Sequence, residues 1–279
     1  MKLKHNRTNK YWWLISLLIG LTACGSTNEP QVHRQFTSSF EQIDDFKNFY
    51  IAPAEAYASF QELTTEKVYD GTYAHKAEIV EARATDNDGT TYLPHRAYPT
   101  IQLYKLNEGA FRTPCFISLY VYLDMELQQR PAGHINDWFS FVTLTPDASD
   151  QWARTVCVNL VYDHYVHLMH VPQQGKSNYI YQATSANDTN GERLFKNKQW
   201  NRLDVLLDFS ATNGYAKVWL NKQLVSHATV EGGHGNLEQA HFGLYASAAL
   251  DSGVIYNDKL RIVEVSNEQE ATNLLNDTW

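Results

Sequence analysis

The sequence predicts an all-β chain, an antiparallel sandwich or barrel, behind an exported leader. Three observations carry this. From about residue 40 onward, runs of residues alternate apolar and polar side chains, the period of a strand with one face in a core. Turn chemistry separates the runs, as at Asp70-Gly71, Thr212-Asn213-Gly214 and Asn221-Lys222. No sustained 3.6-residue period competes with them.

Residues 1–23 come first. Lys2, Lys4, Arg7 and Lys10 precede the apolar run Trp12 to Gly20, which ends in Leu21-Thr22-Ala23-Cys24. A basic start, a short apolar stretch and small residues before a break make a secretory signal peptide. The run falls short of the roughly 20 apolar residues of a spanning helix. The Leu-Thr-Ala-Cys junction resembles the lipobox of bacterial lipoproteins. That resemblance implies palmitate-type acylation of Cys24 and a lipid anchor on a membrane of the cell envelope. Gly25, where an Asp would retain the protein inside, implies the outer membrane. Residues 24–39 are polar and unpatterned, a tether between lipid and domain.

The domain is expected over residues 40–266. A helix is expected within 53–62. Strand patterns then run from Val68 through the Asp70-Gly71 turn to Tyr73–Val80, and over Arg96–Leu106, Phe116–Leu127 and Trp138–Leu144. They continue over Thr155–Tyr162, Tyr165–Val171, Trp200–Phe209, Ala216–Leu220 and Leu224–Val230, and close with Ala240–Ser247 and Val254–Val265. Residues 267–279 form a tail, either a short helix or a frayed end.

The leader holds four basic residues and no acid, so residues 24–279 keep 19 basic against 31 acidic side chains, a net of −12. An acidic surface argues against nucleic acid or anionic lipid as a partner. Seventeen Tyr and seven Trp fit a sugar-binding surface, where flat rings stack on C–H faces, and equally fit strands. Cys115 and Cys157 remain beyond Cys24. Export would permit a disulfide, but Cys115 alternates with core positions and Cys157 lies opposite Val156 and Val158, which leaves the pairing open. No cofactor is expected: Gly232-Gly233-His234-Gly235 lacks the spacing of a phosphate loop.

The passage Trp200-Asn201-Arg202-Leu203-Asp204-Val205, then Gly214 to Asn221 with Val218-Trp219, resembles concanavalin A-like jelly rolls. Phe242-Gly243-Leu244-Tyr245 supplies the "G-L-Y" ending of such folds, and Tyr256 to Ile262 the closing strand. Lys67-Val68, Gly71 and Ala74-His75-Lys76 resemble the opening pair. Within that superfamily the chain is similar to polysaccharide lyases of the heparin-lyase and alginate-lyase kind. Their late strand reads Y-x-K-x-G-x-Y; here Gln239, His241, Gly243 and Tyr245 occupy those four places. The resemblance implies a jelly-roll sandwich acting on a polysaccharide, cleaving a uronate-containing glycan by β-elimination. Gln239, where the family carries its acid/base Tyr, implies instead a non-catalytic glycan-binding lipoprotein. A structural envelope protein is the third reading.

β-Elimination needs a donor set for the uronate carboxylate, a base for the C5 proton and an acid for the leaving oxygen. Such groups belong at alternate positions on one sheet face. Arg96, Tyr98, Thr100, Gln102 and Tyr104 alternate with apolar residues, so Arg96, Tyr98 and Gln102 are expected to bind substrate. Asn159 and His241 join them as outward polar residues. His167 and Tyr245 are the candidate catalytic residues. His170 falls on the apolar side and reads as a core histidine. His164, His167 and His170 sit three apart, which on a strand alternates faces, so no metal site is expected. His134 and Asp137, beside Trp138, read as a cleft rim.

Overall fold

Among the described residues, the alternating runs form strands that pair into two antiparallel sheets of eight strands each. The computed structural model describes residues 33–42, 49–50, 59–81, 94–146 and 153–279. The leader, Cys24 and most of the expected tether lie outside these described residues.

The first sheet runs, in spatial order, β15 (Gln223–Thr229), β14 (Tyr215–Leu220), β13 (Trp200–Asp208), β8 (Cys115–Asp124), β18 (Val254–Glu264), β4 (Ala74–Ile79) and β3 (Ser59–Thr64). β1 (Gln35–Ser38) also pairs with β18. The second sheet runs β12 (Asn178–Ile180), β11 (Val166–Val171), β10 (Thr155–Val161), β9 (Trp138–Thr145), β17 (Gln239–Ala246), β6 (Thr100–Gln102) and β2 (Phe49–Tyr50). β5 (His95–Ala97) pairs with β17 beside β6. A small ribbon joins β7 (Phe111–Arg112) to β16 (Asn236–Leu237). The architecture is a jelly-roll-like β-sandwich.

The core lies between the sheets. Cys115, Ile117, Leu119, Val121 and Leu123 of β8 face Phe139, Phe141 and Leu144 of β9 and Phe242 and Leu244 of β17, all buried. Burying each large apolar side chain stabilises the fold by roughly 1.5–3 kcal/mol. His75 is enclosed in the same layer. Its Nε2 lies 3.0 Å from Gln61 Oε1 and its Nδ1 3.0 Å from Asn257 Nδ2. Burial drives this imidazole from the usual 6.5 down to about 3.

Several expectations are corrected. Within 53–62, residues 59–62 belong to β3, because Ser59–Thr64 completes the edge of β4; the earlier part lies outside the described residues. Residues 35–38, expected as tether, form β1 because β18 offers a free edge there. The Arg96–Leu106 run is not one strand. It breaks at Tyr98-Pro99, where proline has no N–H for a ladder, and ends in a 3₁₀ turn at Leu103–Lys105. The tail forms helix α1 (Glu268–Asn276), capped by Asn267, whose side chain accepts the Glu270 N–H at 3.0 Å. Ala271 and Leu275 pack on Phe116, Leu206 and Val263 of the first sheet. Cys115 and Cys157 are both buried free thiols. They stand in different sheets, Cys115 facing the core and Cys157 the opposite side of β10.

Candidate functional site

The outer face of the second sheet gathers the sequence-predicted residues into rows. Register places Arg96 of β5 beside Tyr245 of β17, Tyr245 beside Ser140 of β9, Ser140 beside Asn159 of β10 and Asn159 beside His167 of β11. A second row runs Thr100, His241, Thr143, Cys157, Met169. Gln102 sits one row further, opposite Gln239, which faces Thr145.

A bulge shapes this face. Between Phe242 and Tyr245 the pairing of β17 with β9 shifts, and Gly243 takes φ +123°. A Cβ there would stand 2.9 Å from the Ala97 carbonyl oxygen and 3.1 Å from Tyr98 Cα. Only glycine permits that approach. The Ala97-Tyr98 backbone therefore lies against β17, and the Tyr98 ring meets those of His241 (4.9 Å between centroids) and Tyr245 (6.0 Å). The Arg96 guanidinium carbon stands 5.2 Å from the centre of the Tyr245 ring, a cation–π contact. Trp138 packs edge-on to the other side of Tyr245 at 4.9 Å.

Three hollows follow one another along this face. The first, about 350 Å³, is lined by Arg96, Tyr98, His241 and Tyr245, with Thr143, Cys157 and Met169 among its other residues. The middle one, about 580 Å³, shares Tyr245 and adds Trp138, Arg130, His134, Ile135 and Asp251. The third, about 340 Å³, shares Trp138 and Ile135 and reaches Asp163, His167 and Gln182.

His241 is only 6% exposed. Burial first, and the Arg96 charge second, push its imidazole down to about 3, so it is neutral at physiological pH. His167 is also buried, with Nε2 3.0 Å from Asp163 Oδ1. Burial alone would raise the Asp163 carboxyl; the His167 bond and the Tyr165 N–H outweigh it and hold it below the usual range. His170 behaves as the core histidine expected: Nδ1 lies 3.2 Å from the Thr155 carbonyl, and Nε2 accepts the Glu231 N–H at 3.0 Å. No group of three potential metal ligands converges among the described residues.

Two expectations need correction. Asn159 lies on the expected face but is 2% exposed rather than outward, because Met169 crosses it, with Nδ2 to Sδ at 3.8 Å. Its Oδ1 has no hydrogen-bond partner among the described residues. His241 is likewise roofed by Tyr98 rather than exposed. Neither Asp163 nor Arg130 stands out in the sequence. Arg130 donates from Nε and Nη2 to the two oxygens of fully buried Asp137, at 2.8 and 3.0 Å, and from Nη2 to the Ala249 carbonyl at 2.8 Å. That clamp fixes the wall carrying His134 and Ile135. The signal for Asp163 was its position four residues before His167 across a tight hairpin.

No protein-family model matches the chain, and no curated protein matches it in sequence. Solved structures do. An endo-β-1,4-glucuronan lyase from the fungus Trichoderma reesei superposes with a TM-score of 0.57 at 10% identity, over 82% of this chain and 95% of that one. The cellulose-induced protein Cip1 gives 0.48 at 13% identity, over 82% and 97%. The alginate lyase Aly36B gives 0.43 at 11% identity, over 85% and 94%. At these identities the glucuronan lyase likeness is one of fold.

Proposed function

We propose that this protein binds an acidic polysaccharide along the outer groove of the second sheet and cleaves it at a uronate by β-elimination. The carrying observation is the register that sets Arg96 beside Tyr245, with the guanidinium 5.2 Å from the ring. In elimination the carboxylate, the C5 proton and the leaving O4 belong to one sugar ring. The groups acting on them must lie within about one ring of each other. Strands are roughly 4.8 Å apart. Tyr245 is one strand from Arg96. His167 is three strands beyond Tyr245, roughly 14 Å away, and reaches a different sugar.

The roles follow. Arg96 neutralises the carboxylate, which acidifies the C5 proton. Tyr245 takes that proton as phenolate. The C5–H electron pair becomes the C4=C5 double bond as the C4–O4 bond breaks, and the phenol returns the proton to O4. His241, kept neutral, hydrogen-bonds the sugar without adding charge. Tyr98 and Gln102 bind, while Asn159, buried under Met169, lies beneath the groove floor rather than against the sugar. His167, oriented by Asp163, contacts the glycan further along. The glucuronan lyase likeness supports the reading at the level of fold.

Gln239 favours a second reading, a groove that binds glycan without cutting it. One experiment separates the two. Elimination creates an unsaturated uronate that absorbs in the ultraviolet, so uronate polysaccharides can be screened directly. Absorbance should rise with wild type. Tyr245→Phe should lower turnover by about 10²-fold or more with binding retained, the usual scale of acid–base help. Binding weakened by Arg96→Ala, with no absorbance from any polymer, would leave the binding module. Neither turnover nor binding would refute both.

The lipid anchor at Cys24, and with it an outer-membrane location, is part of the same proposal. It is supported by the leader and the Leu21-Thr22-Ala23-Cys24 junction. Mass spectrometry of membrane-extracted protein should find a chain starting at acylated Cys24.

A further inference from the structure

The groove is electrically lopsided. In the first hollow Arg96 is the charged side chain of the lining among the described residues, and burial keeps its neighbour His241 neutral. The middle hollow contains Arg130, but that guanidinium is already matched by buried Asp137. Exposed Asp251 on the same wall has no such counterpart among the residues lining it. In the third hollow the Asp163 side chain, bonded to His167 Nε2 at 3.0 Å, is 33% exposed and carries its charge at neutral pH. The lining passes from a cation at one end to carboxylates at the other.

We infer that this groove selects a glycan whose uronates are separated by neutral sugars, over a continuous polyuronate. The inference rests on the reading that a uronate sits at Arg96. The hollows are contiguous, joined by Tyr245 and then by Trp138 and Ile135. A polymer that places one ring in the first hollow continues into the next two. Every ring of a polyuronate carries a carboxylate, so rings near Asp251 and Asp163 meet like charge, and the charge of partly buried Asp163 is screened less by salt than that of exposed Asp251. A neutral ring at those places offers hydroxyl donors to both carboxylates and its C–H face to Trp138. The discrimination acts by repulsion of the competitor.

The test compares three glucuronate polymers of different charge spacing. Polyglucuronate carries a uronate at every ring, hyaluronan at every second and gellan at every fourth. Binding is measured at fixed ionic strength with the full chain carrying Tyr245→Phe, which keeps the polymers intact. Gellan should bind tightest and polyglucuronate weakest, with about a tenfold span between them. Asp251→Asn and Asp163→Asn should each tighten polyglucuronate by about threefold, and Asp251→Asn should leave gellan within about twofold. Asp251 is exposed, so its variant leaves the fold intact. Equal binding of the three polymers, a preference for polyglucuronate, or no response to either Asn variant would overturn the inference. The glycan reading would survive those outcomes wherever Arg96→Ala still weakens binding. Binding to none of the three would overturn both.

Discussion

Both sheets carry polar side chains on their outer faces, and the two faces meet different fates. On the first sheet, Arg202 donates from Nε to Asp204 Oδ1 at 2.9 Å and to the carbonyls of Asp277 and Leu274 at 2.8 and 3.1 Å. Arg261 donates to the same Leu274 carbonyl at 2.9 Å. Ser118 donates to Asp204. Helix α1 and the residues after it cover the cluster, and burial pushes the Asp204 carboxyl up against the pull of Arg202, Ser118 and Arg261. These charges are spent on the fold. On the second sheet no segment of the described residues lies over the hollows that Arg96, Tyr245 and Trp138 line. Polar alternation marks a face that is not core. Whether another part of the chain then covers it is decided elsewhere in the sequence.

The largest expected effect tests the covered face. Arg202→Ala strands Asp204 in the interior and should cost about 3–5 kcal/mol of stability, as breaking a buried pair does. Turnover per folded molecule should not change. Calorimetry and assay together check this, and a cost under about 1 kcal/mol would erase the difference between the faces.

The next effect compares two histidines, one in the core and one in the groove. His75 and His241 are both held at about 3, below the usual 6.5. A depressed folded value means that the stability is fully present above about pH 6.5 and declines as pH falls toward 3. Each histidine should cost about 1.4 kcal/mol per pH unit over that window. Denaturant melts between pH 7 and pH 5 measure the slope, and His241→Gln should remove about half of the histidine contribution. An unchanged slope would mean that the groove end is wetter than its geometry implies.

The smallest effect tests what holds α1 in place. Lys217 pairs with Glu268 at the surface, and exposed pairs of this kind contribute little. Lys217→Ala should change stability by less than about 0.5 kcal/mol. A larger loss would give the pair, rather than Ala271 and Leu275, the credit for docking the helix.

The sequence by itself determined which residues alternate, and alternation is local. Phe242 and Leu244 could be assigned to the core, and His241 and Tyr245 to the other face, because side chains of a strand have a period of two. The Asp70-Gly71 turn was legible for the same local reason, and so was His170 as a core histidine. Only the tertiary structure decided the pairing register, which is set by contacts between segments far apart in the chain. Register put Arg96 against Tyr245, sent His167 three strands away and slid Met169 over Asn159. It also turned a polar tail into the lid of one sheet, while none of the described segments covers the hollows of the other. No period in the sequence encodes which outer face the last helix will find, because that depends on the apolar patch of Phe116, Leu206 and Val263, contributed by three separate strands.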